Sequence, residues 1–527
     1  MSTSHLSPLS ASLLLSIACI VVVYLRSLAD WRARTKGRPL PPGPSPLPVV
    51  GNLLNTPTVK PWVAFRDVCS TYGRIVHFRV FGQSIVVLGS ADVIFEYLEK
   101  RSSNTSGRKQ SPLIELTGIY SSFAFMQYGQ YWRRHRKAFW QFFHRDASIS
   151  YQPIQRVITH KFLELLLDDP KEVVEHIRYT FAATVLRVIY GYQAEEENDQ
   201  FVALAESAME AVAQGLVPGK FLVENIPALQ YLPSWFPGQG WQKLFAKWRA
   251  ARDRAKNLPL DFVKSRMDKE EVRDSIVGQL LTECDQTEKK PQDETEVIKN
   301  VGAVAFEAGA DTTWATLQAA FLALALNPDV KKKAQNELDA VVGPGRLPDY
   351  SDQESLVYVS AIVMEALRWH NVVPLAVPHQ TTEDDELHGY FIPAGTIVIP
   401  NTWACMHDPE VFPDPEAFRP ERFIKDGKLD VSIRDPTTFS FGYGRRICPG
   451  RHFALAALFI NIASVLHVFD LSPAVDENGR PIHITPTMSD GFLSYLEDSR
   501  CTIKPRSAEA EALIRANAAA ARVQMHA

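Results

Sequence analysis

The chain has 527 residues, a formal net charge of −4 and 46% hydrophobic residues, an ordinary balance for a packed globular protein. The lack of a basic excess argues against a nucleic-acid partner. Six scattered cysteines without a C-x-x-C pair argue against zinc ribbons and thioredoxin-like chemistry, and read as reduced, buried thiols.

Residues 1–25 contain no Asp, Glu, Lys or Arg. Within them Leu6–Leu25 spans about 20 residues, enough at about 1.5 Å per residue to cross a bilayer core of about 30 Å. Arg26, Arg32, Arg34, Lys36 and Arg38 follow, against Asp30 alone, which places the rest of the chain in the cytosol. A cleaved signal peptide would carry its basic residues before the apolar run. The expectation is a transmembrane anchor over 1–28, then a basic flank and Pro-rich hinge over 29–48. In the hinge, Pro39, Pro41, Pro42, Pro44 and Pro46 make a stiff spacer.

The globule is expected over 49–506, without internal repeats. Residues 73–90 read as a hairpin about Gly82-Gln83. From about 91 to 340 the patterns are mostly helical, with Glu195-Glu196-Glu197 and the polar stretch 284–296 as solvated loops. The longest helix is expected over 297–326, before Asn327-Pro328. A second follows from Asp352 to about Trp369, then short strands over 389–400 and an apolar helix from Gly450 to His467. Residues 507–527, rich in Ala, read as a tail or frayed helix without an evident role. The fold class is mainly α with a small β region.

Phe441-Gly442-Tyr443-Gly444-Arg445-Arg446-Ile447-Cys448-Pro449-Gly450 fits F-x-x-G-x-R-x-C-x-G at every fixed position. A cysteine sulfur stays ionised only among donors and positive charge, and the helix starting near Gly450 offers its N-terminal N–H groups. Gly444 and Gly450 permit positive φ and close approach of the backbone. A structural buried cysteine after a Gly-rich turn is the bland alternative, and it holds for the other five cysteines. Five fixed positions in ten residues disfavour it at Cys448. The loop resembles the cysteine loop of the cytochrome P450 family. The resemblance implies haem b as cofactor, with Cys448 as iron ligand, Phe441 shielding the sulfur and Arg446 meeting a haem propionate. A thiolate ligand favours O–O cleavage.

Ala308-Gly309-Ala310-Asp311-Thr312-Thr313 resembles that family's oxygen-activating helix. Gly309 would make room for dioxygen, Thr312 would hydrogen-bond it and Asp311 would relay protons inward. The alternative is local bonding, with Thr312 donating to its own helix. Glu307 departs from the usual apolar pattern. It either faces substrate, serves as a second relay, or turns away to pair with a basic residue.

Glu365-Ala366-Leu367-Arg368 matches the family's E-x-x-R, and Pro420-Glu421-Arg422-Phe423 its PERF element. The resemblance joins Glu365, Arg368 and Arg422 in a buried structural network. Trp132-x-x-x-Arg136 resembles the W-x-x-x-R helix, whose i,i+4 pair shares a face and donates to a propionate; His379 stands where the family places another propionate partner. Arg133, Lys137, Arg445 and Arg451 form a candidate basic patch for an acidic reductase domain, against the alternative of an ordinary solvated face.

The resemblance implies a monooxygenase inserting one atom of O2 into a small lipophilic substrate, a terpenoid, polyketide or xenobiotic, with a style closest to fungal members. Electrons would come from NADPH through NADPH-cytochrome P450 reductase. The implied enzyme is monomeric and single-pass in the endoplasmic reticulum membrane. The alternatives are a haem-thiolate isomerase, dehydratase or peroxygenase, which would not need Asp311-Thr312, and a non-enzymatic haem sensor. Candidate pocket segments are 108–127, 205–240, 372–377 and 488–495, with Leu113, Ile114, Phe123, Phe125, Phe221 and Phe492.

Overall fold

The apolar N-terminal run and its basic flank fold as one helix, α1 (Pro8–Thr35), in the computed structural model, which describes residues 8–196, 198–217, 219–286 and 293–526. The helix passes unbroken through the boundary expected at 28. Its end is docked: Trp31 packs edge-on against Phe391 at 5.5 Å, and Arg34 forms a bidentate pair with Asp384 at 2.6 and 2.8 Å. The proline stretch is likewise not a free spacer. The carbonyls of Pro39 and Pro42 accept from the N–H groups of Phe391 and His77, and a Cβ on Gly43 would meet the His77 carbonyl oxygen at 2.0 Å.

Helix α2 (Pro61–Tyr72) precedes the hairpin β1 (Ile75–Val80) and β2 (Gln83–Leu88), paired from Val80–Gln83 to Ile75–Leu88. Its turn, Phe81-Gly82, has φ +47° and +84°, the left-handed pair that matches strand twist. Then come α3 (Gln130–Phe143), α4 (Gln152–Asp168), α5 (Val173–Tyr190), α6 (Gln200–Gly215), α7 (Gly240–Ser265) and α8 (Ile276–Gln286). Helix α5 stops at Gly191, where φ is +63° and a Cβ would sit 2.2 Å from the Glu271 carbonyl, so glycine is the residue that fits. Asp199 caps α6 by accepting from Phe201 and Val202 N–H at 2.8 and 3.0 Å.

The long helix α9 (Glu294–Leu326) has 33 residues and packs against α3, α5, α6, α7, α8 and later helices. It is apolar nearly all round, the pattern of a helix buried in a large core. Acidic Glu294 and Glu296 sit at its positive end, and Pro328 opens α10 (Pro328–Val341). Of the expected polar loop, 284–286 belong to α8 and 294–296 to α9, while 287–292 lie outside the described residues, as does Glu197. Helix α11 (Val357–Trp369) starts later than expected because Tyr350–Asp352 forms a separate 3-10 turn closed by Asp349 and Asp352.

Strands β3 (His379–Gln380), β4 (Asp385–Leu387), β5 (Tyr390–Ile392) and β6 (Ile397–Pro400) complete the small β region, with β1-β2-β6-β3 as one sheet. The hairpin β7 (Ile424–Lys425) and β8 (Lys428–Leu429) follows the PERF turn. Helix α12 (Arg451–Val468) is, among the described residues, the one whose length and hydropathy suit a membrane, and 72% of it is buried inside the protein. It is a core helix. Strands β9 (Phe469–Pro473) and β10 (Cys501–Pro505) pair antiparallel.

Residues 508–526 correct the expectation of a tail. They form α13 (Ala508–His526), which lies along α4. Ile514, Ala518 and Ala521 are buried, at the i, i+4, i+7 spacing of one helix face. Arg522 and Arg515 reach Glu164 and Asp168 at 2.6 Å each.

Candidate active site

The cysteine loop closes on itself. Cys448 N–H donates to the Phe441 carbonyl at 2.7 Å. The turn needs its glycines at 442 and 444, with φ of +75° and +56°, and a Cβ on Gly444 would meet the Leu98 carbonyl at 2.4 Å. Gly450 has an ordinary φ of −82°, so positive φ is not its reason. Its contribution is electrostatic: burial raises the Cys448 thiol pKa, while a hydrogen bond from Gly450 N–H and the charges of Arg136 and Arg451 lower it. At three other cysteines burial prevails, with Arg434 the one opposing charge, at Cys405. Burial pushes Cys69, Cys405 and Cys501 up to about 12, the state of inert protonated thiols.

Cys448 opens into a cavity of about 290 Å³. The cavity brings together Phe441, Arg446, Gly450, Trp132, Arg136 and His379 with Ala308, Gly309 and Thr312 of α9. Its wall holds three guanidiniums, on Arg108, Arg136 and Arg446, and no carboxylate. Burial, with mutual repulsion, lowers Arg136 to about 10 and Arg446 to about 9, and drives Arg108 well below its usual value. Buried cations without counter-charge are costly, so the wall is complementary to an anionic ligand. Apolar faces, a lone sulfur on one side and a cationic rim fit the two propionates of haem b.

The donors are partly committed elsewhere. Trp132 Nε1 donates to the Phe123 carbonyl at 3.0 Å. Arg446 donates to the Ser106, Phe123 and Met126 carbonyls at 2.9, 3.2 and 2.8 Å, tying the cysteine loop to segment 106–126. Its guanidinium also stacks 4.6 Å from the Trp132 ring. His379 donates through Nδ1 to the Thr105 carbonyl at 2.7 Å. Burial beside Arg108 and Arg446 keeps that ring neutral, so Nε2 is left as an acceptor. Arg108, held by the Ala124 and Pro378 carbonyls, is the cation of the cavity wall that the motif reading missed. A lone Arg in a polar loop carries no pattern, and only its burial marks it.

On α9, Thr312 Oγ1 donates to the Ala308 carbonyl at 2.9 Å, the local bond that was the alternative, yet Thr312 still lines the cavity. Gly309 also answers packing, since a Cβ there would lie 3.1 Å from Val185 of α5. Asp311 is not in the lining; it accepts a hydrogen bond from Tyr495. Glu307 does not face the cavity either. It pairs with Arg252 of α7 at 3.0 Å, both side chains buried, which corrects the substrate-facing reading and matches the alternative of pairing with a basic residue.

Glu365 and Arg368 are fully buried and bidentate at 2.7 and 2.9 Å, and Arg422 joins Glu365 at 3.2 Å. Arg368 also donates to the Met406 carbonyl. On the surface beside the cysteine loop, the exposed Arg133 and Arg445 converge on the Tyr128 hydroxyl at 3.3 and 3.1 Å, and their charge lowers its pKa.

Of the expected pocket segments, 108–127 and 372–377 reach the cavity through Arg108, Phe123, Ala124, Val372, Val373, Ala376 and Val377. Segments 205–240 and 488–495 do not. Leu113, Ile114 and Phe125 belong to the buried core, with Phe221 and Phe492 packed against it.

The family model described as Cytochrome P450 matches residues 41–494. Cytochrome P450 monooxygenase COX1 of Coprinopsis cinerea is 38% identical over 513 residues, 96% of this chain and 99% of its own length. Cytochrome P450 monooxygenase claR of Ampulloclitocybe clavipes is 38% identical over 94% and 91% of the two chains, and ppsD of Aspergillus oryzae 38% over 93% of each.

Proposed function

The chain belongs to the cytochrome P450 family as a haem-dependent monooxygenase, and on that premise we propose that it hydroxylates or epoxidises a lipophilic terpenoid, polyketide or xenobiotic, as a monomer drawing electrons from NADPH through NADPH-cytochrome P450 reductase. The observation that carries this reading is Cys448 facing a cavity with three unpaired guanidiniums on its wall.

Haem held there supplies one-electron and dioxygen chemistry, and thiolate ligation favours O–O cleavage. The protein's own residues do the rest. Gly450 N–H, Arg136 and Arg451 oppose the effect of burial and would favour negative charge on the Cys448 sulfur once it binds iron. Arg108, Arg136 and Arg446 would hold the haem carboxylates. Thr312 presents its hydroxyl oxygen to the cavity as an acceptor, and Asp311 stands one residue earlier as the proton donor nearest to it in sequence. Val304, Ala305, Leu367, Val372, Val373 and Val377 give substrate an apolar wall that excludes water. Exposed Arg133 and Arg445 suit an acidic donor protein.

Placement on the endoplasmic reticulum membrane is supported by α1, whose residues Val21–Leu25 are exposed. It is also supported by the exposed side chains of Leu54, Val59, Tyr231 and Trp235. The test is a reduced carbon monoxide difference spectrum of the full-length protein in microsomes. A Soret band near the thiolate position, roughly 450 nm, lost in Cys448→Ser, is the expected result. A well-folded wild type without that band overturns the assignment.

A further inference from the structure

Segment 487–499, between β9 and β10, is outside the cavity lining but bonded to it. It folds as a tight hairpin: Ser489 N–H donates to the Tyr495 carbonyl at 2.8 Å, Glu497 N–H to the Thr487 carbonyl at 3.0 Å, and Tyr495 N–H to Ser489 Oγ at 3.0 Å. Its turn requires Gly491, where a Cβ would sit 2.5 Å from the Leu493 carbonyl. Ser494 N–H then donates to the carbonyl of Val372 at 2.8 Å, a residue of the cavity wall. The next side chain, Tyr495, donates its hydroxyl to Asp311. Two helical turns along α9, Gln318 donates to Ser499 Oγ. The hairpin is thus fixed to the cavity wall through one residue and to the acid of α9 through its neighbour.

Tyr495 is also held laterally. Its ring lies 5.6 Å from Trp314, whose Nε1 donates to the Val174 carbonyl at 3.2 Å. The Arg178 guanidinium of α5 lies over the Trp314 ring at 4.4 Å and pairs with Glu206 of α6 at 2.9 Å and with Glu175 at 3.9 Å. The charged and titratable groups facing Asp311 are therefore Tyr495 from the hairpin, Arg178 from α5 and Glu206 from α6. Burial raises the Asp311 pKa, and the Tyr495 hydrogen bond is the strongest opposing influence, ahead of Arg178.

We propose that Tyr495 is a positioning residue for Asp311: its hydroxyl holds the carboxylate on the side of α9 away from the cavity, so that Asp311 exchanges protons with the cavity only when this hydrogen bond opens. The proposal rests on the reading of Asp311-Thr312 as the acid–alcohol pair of a haem-thiolate site. It joins the Val372 wall and the acid through two consecutive residues of one hairpin, Ser494 and Tyr495, so that what fills the cavity bears on the proton supply. The tyrosine keeps its proton throughout, since burial and the neighbouring carboxylate both raise its pKa far above the physiological range.

The test is a pH titration of the Asp311 carboxylic-acid band by infrared difference spectroscopy of the full-length holoenzyme, with the band assigned by its loss in Asp311→Asn. The sign follows from the chemistry. Tyr495→Phe removes a donor that favours the ionised form, so the Asp311 midpoint moves up, by about one pH unit or more. Gln318→Ala loosens the same hairpin without touching Asp311, and its midpoint stays with wild type. Equal midpoints in wild type and Tyr495→Phe overturn the proposal. So does an equal upward move in Gln318→Ala, which would make the effect merely structural. The carbon monoxide spectrum of the same samples separates the two levels. Its absence in wild type sinks the haem-thiolate reading, while the infrared midpoints still decide whether Tyr495 holds Asp311.

Discussion

Glu307 shows what a motif leaves out. Next to Ala308-Gly309 it is a carboxylate where a pocket residue was expected, and nothing in the local spelling says which way it points. The answer lies 55 positions upstream, at Arg252, and such a distant pairing has no periodic signature. The pair is incompletely satisfied, because Glu307 Oε1 and Arg252 Nε have no protein partner. Removing one member of a buried pair costs about 3–5 kcal/mol, whereas replacing both by apolar residues costs far less. Glu307→Ala should therefore destabilise strongly in denaturant titrations, and Glu307→Leu with Arg252→Met should recover most of the loss; equal losses would mean the pair holds nothing together. Arg108 is the complementary case, found by burial and not by pattern. Arg108→Leu should weaken haem retention by about tenfold, the value of one charge-assisted hydrogen bond, measured as haem per protein after gel filtration. His379→Ala should cost less, since the one N–H of the neutral ring is committed to the Thr105 carbonyl.

Elements were legible in proportion to how local their cause is. The hairpin at Gly82 follows from two residues of turn chemistry, and α9 from a long apolar run stopped by Asn327-Pro328. The cysteine loop was legible for the same reason: its glycines, arginine and cysteine are consecutive. Helix α13 was not, because its buried face is Ile514, Ala518 and Ala521, too weakly apolar to stand out among many alanines. Its charges find partners only in three dimensions, with Arg522 and Glu164 358 positions apart. Glu164 is buried, with Lys161, Arg515 and Arg522 around it. Deleting residues 508–527 strips two of those cations and removes Ile514, whose burial alone is worth about 1.5–3 kcal/mol. The truncated protein should unfold at a lower temperature by differential scanning fluorimetry, with its carbon monoxide spectrum intact below that temperature. An unchanged midpoint would return these residues to the status of a tail.

At the scale of the whole molecule, the N-terminal helix sets the attitude of the globule. A free proline spacer would let the catalytic domain tumble against a membrane. Trp31, Arg34 and the carbonyls of Pro39 and Pro42 instead bind α1 and its exit segment to β5 and β1. The side chains of Leu54, Val59, Tyr231 and Trp235 are exposed and apolar or amphipathic, the kind of residue that a membrane or partner contact uses. Aromatic rings with one polar atom suit the headgroup level in particular. On the proposed membrane placement, α1 and these side chains face one bilayer and act together, and removing α1 leaves the weaker contact. Protein lacking residues 1–28 should still co-sediment with phospholipid vesicles, more weakly than the full chain. Trp235→Ser with Tyr231→Ser should abolish that residual binding and leave the carbon monoxide spectrum unchanged. Truncated protein that stays wholly in the supernatant would show that α1 alone carries the contact and that these side chains serve another partner.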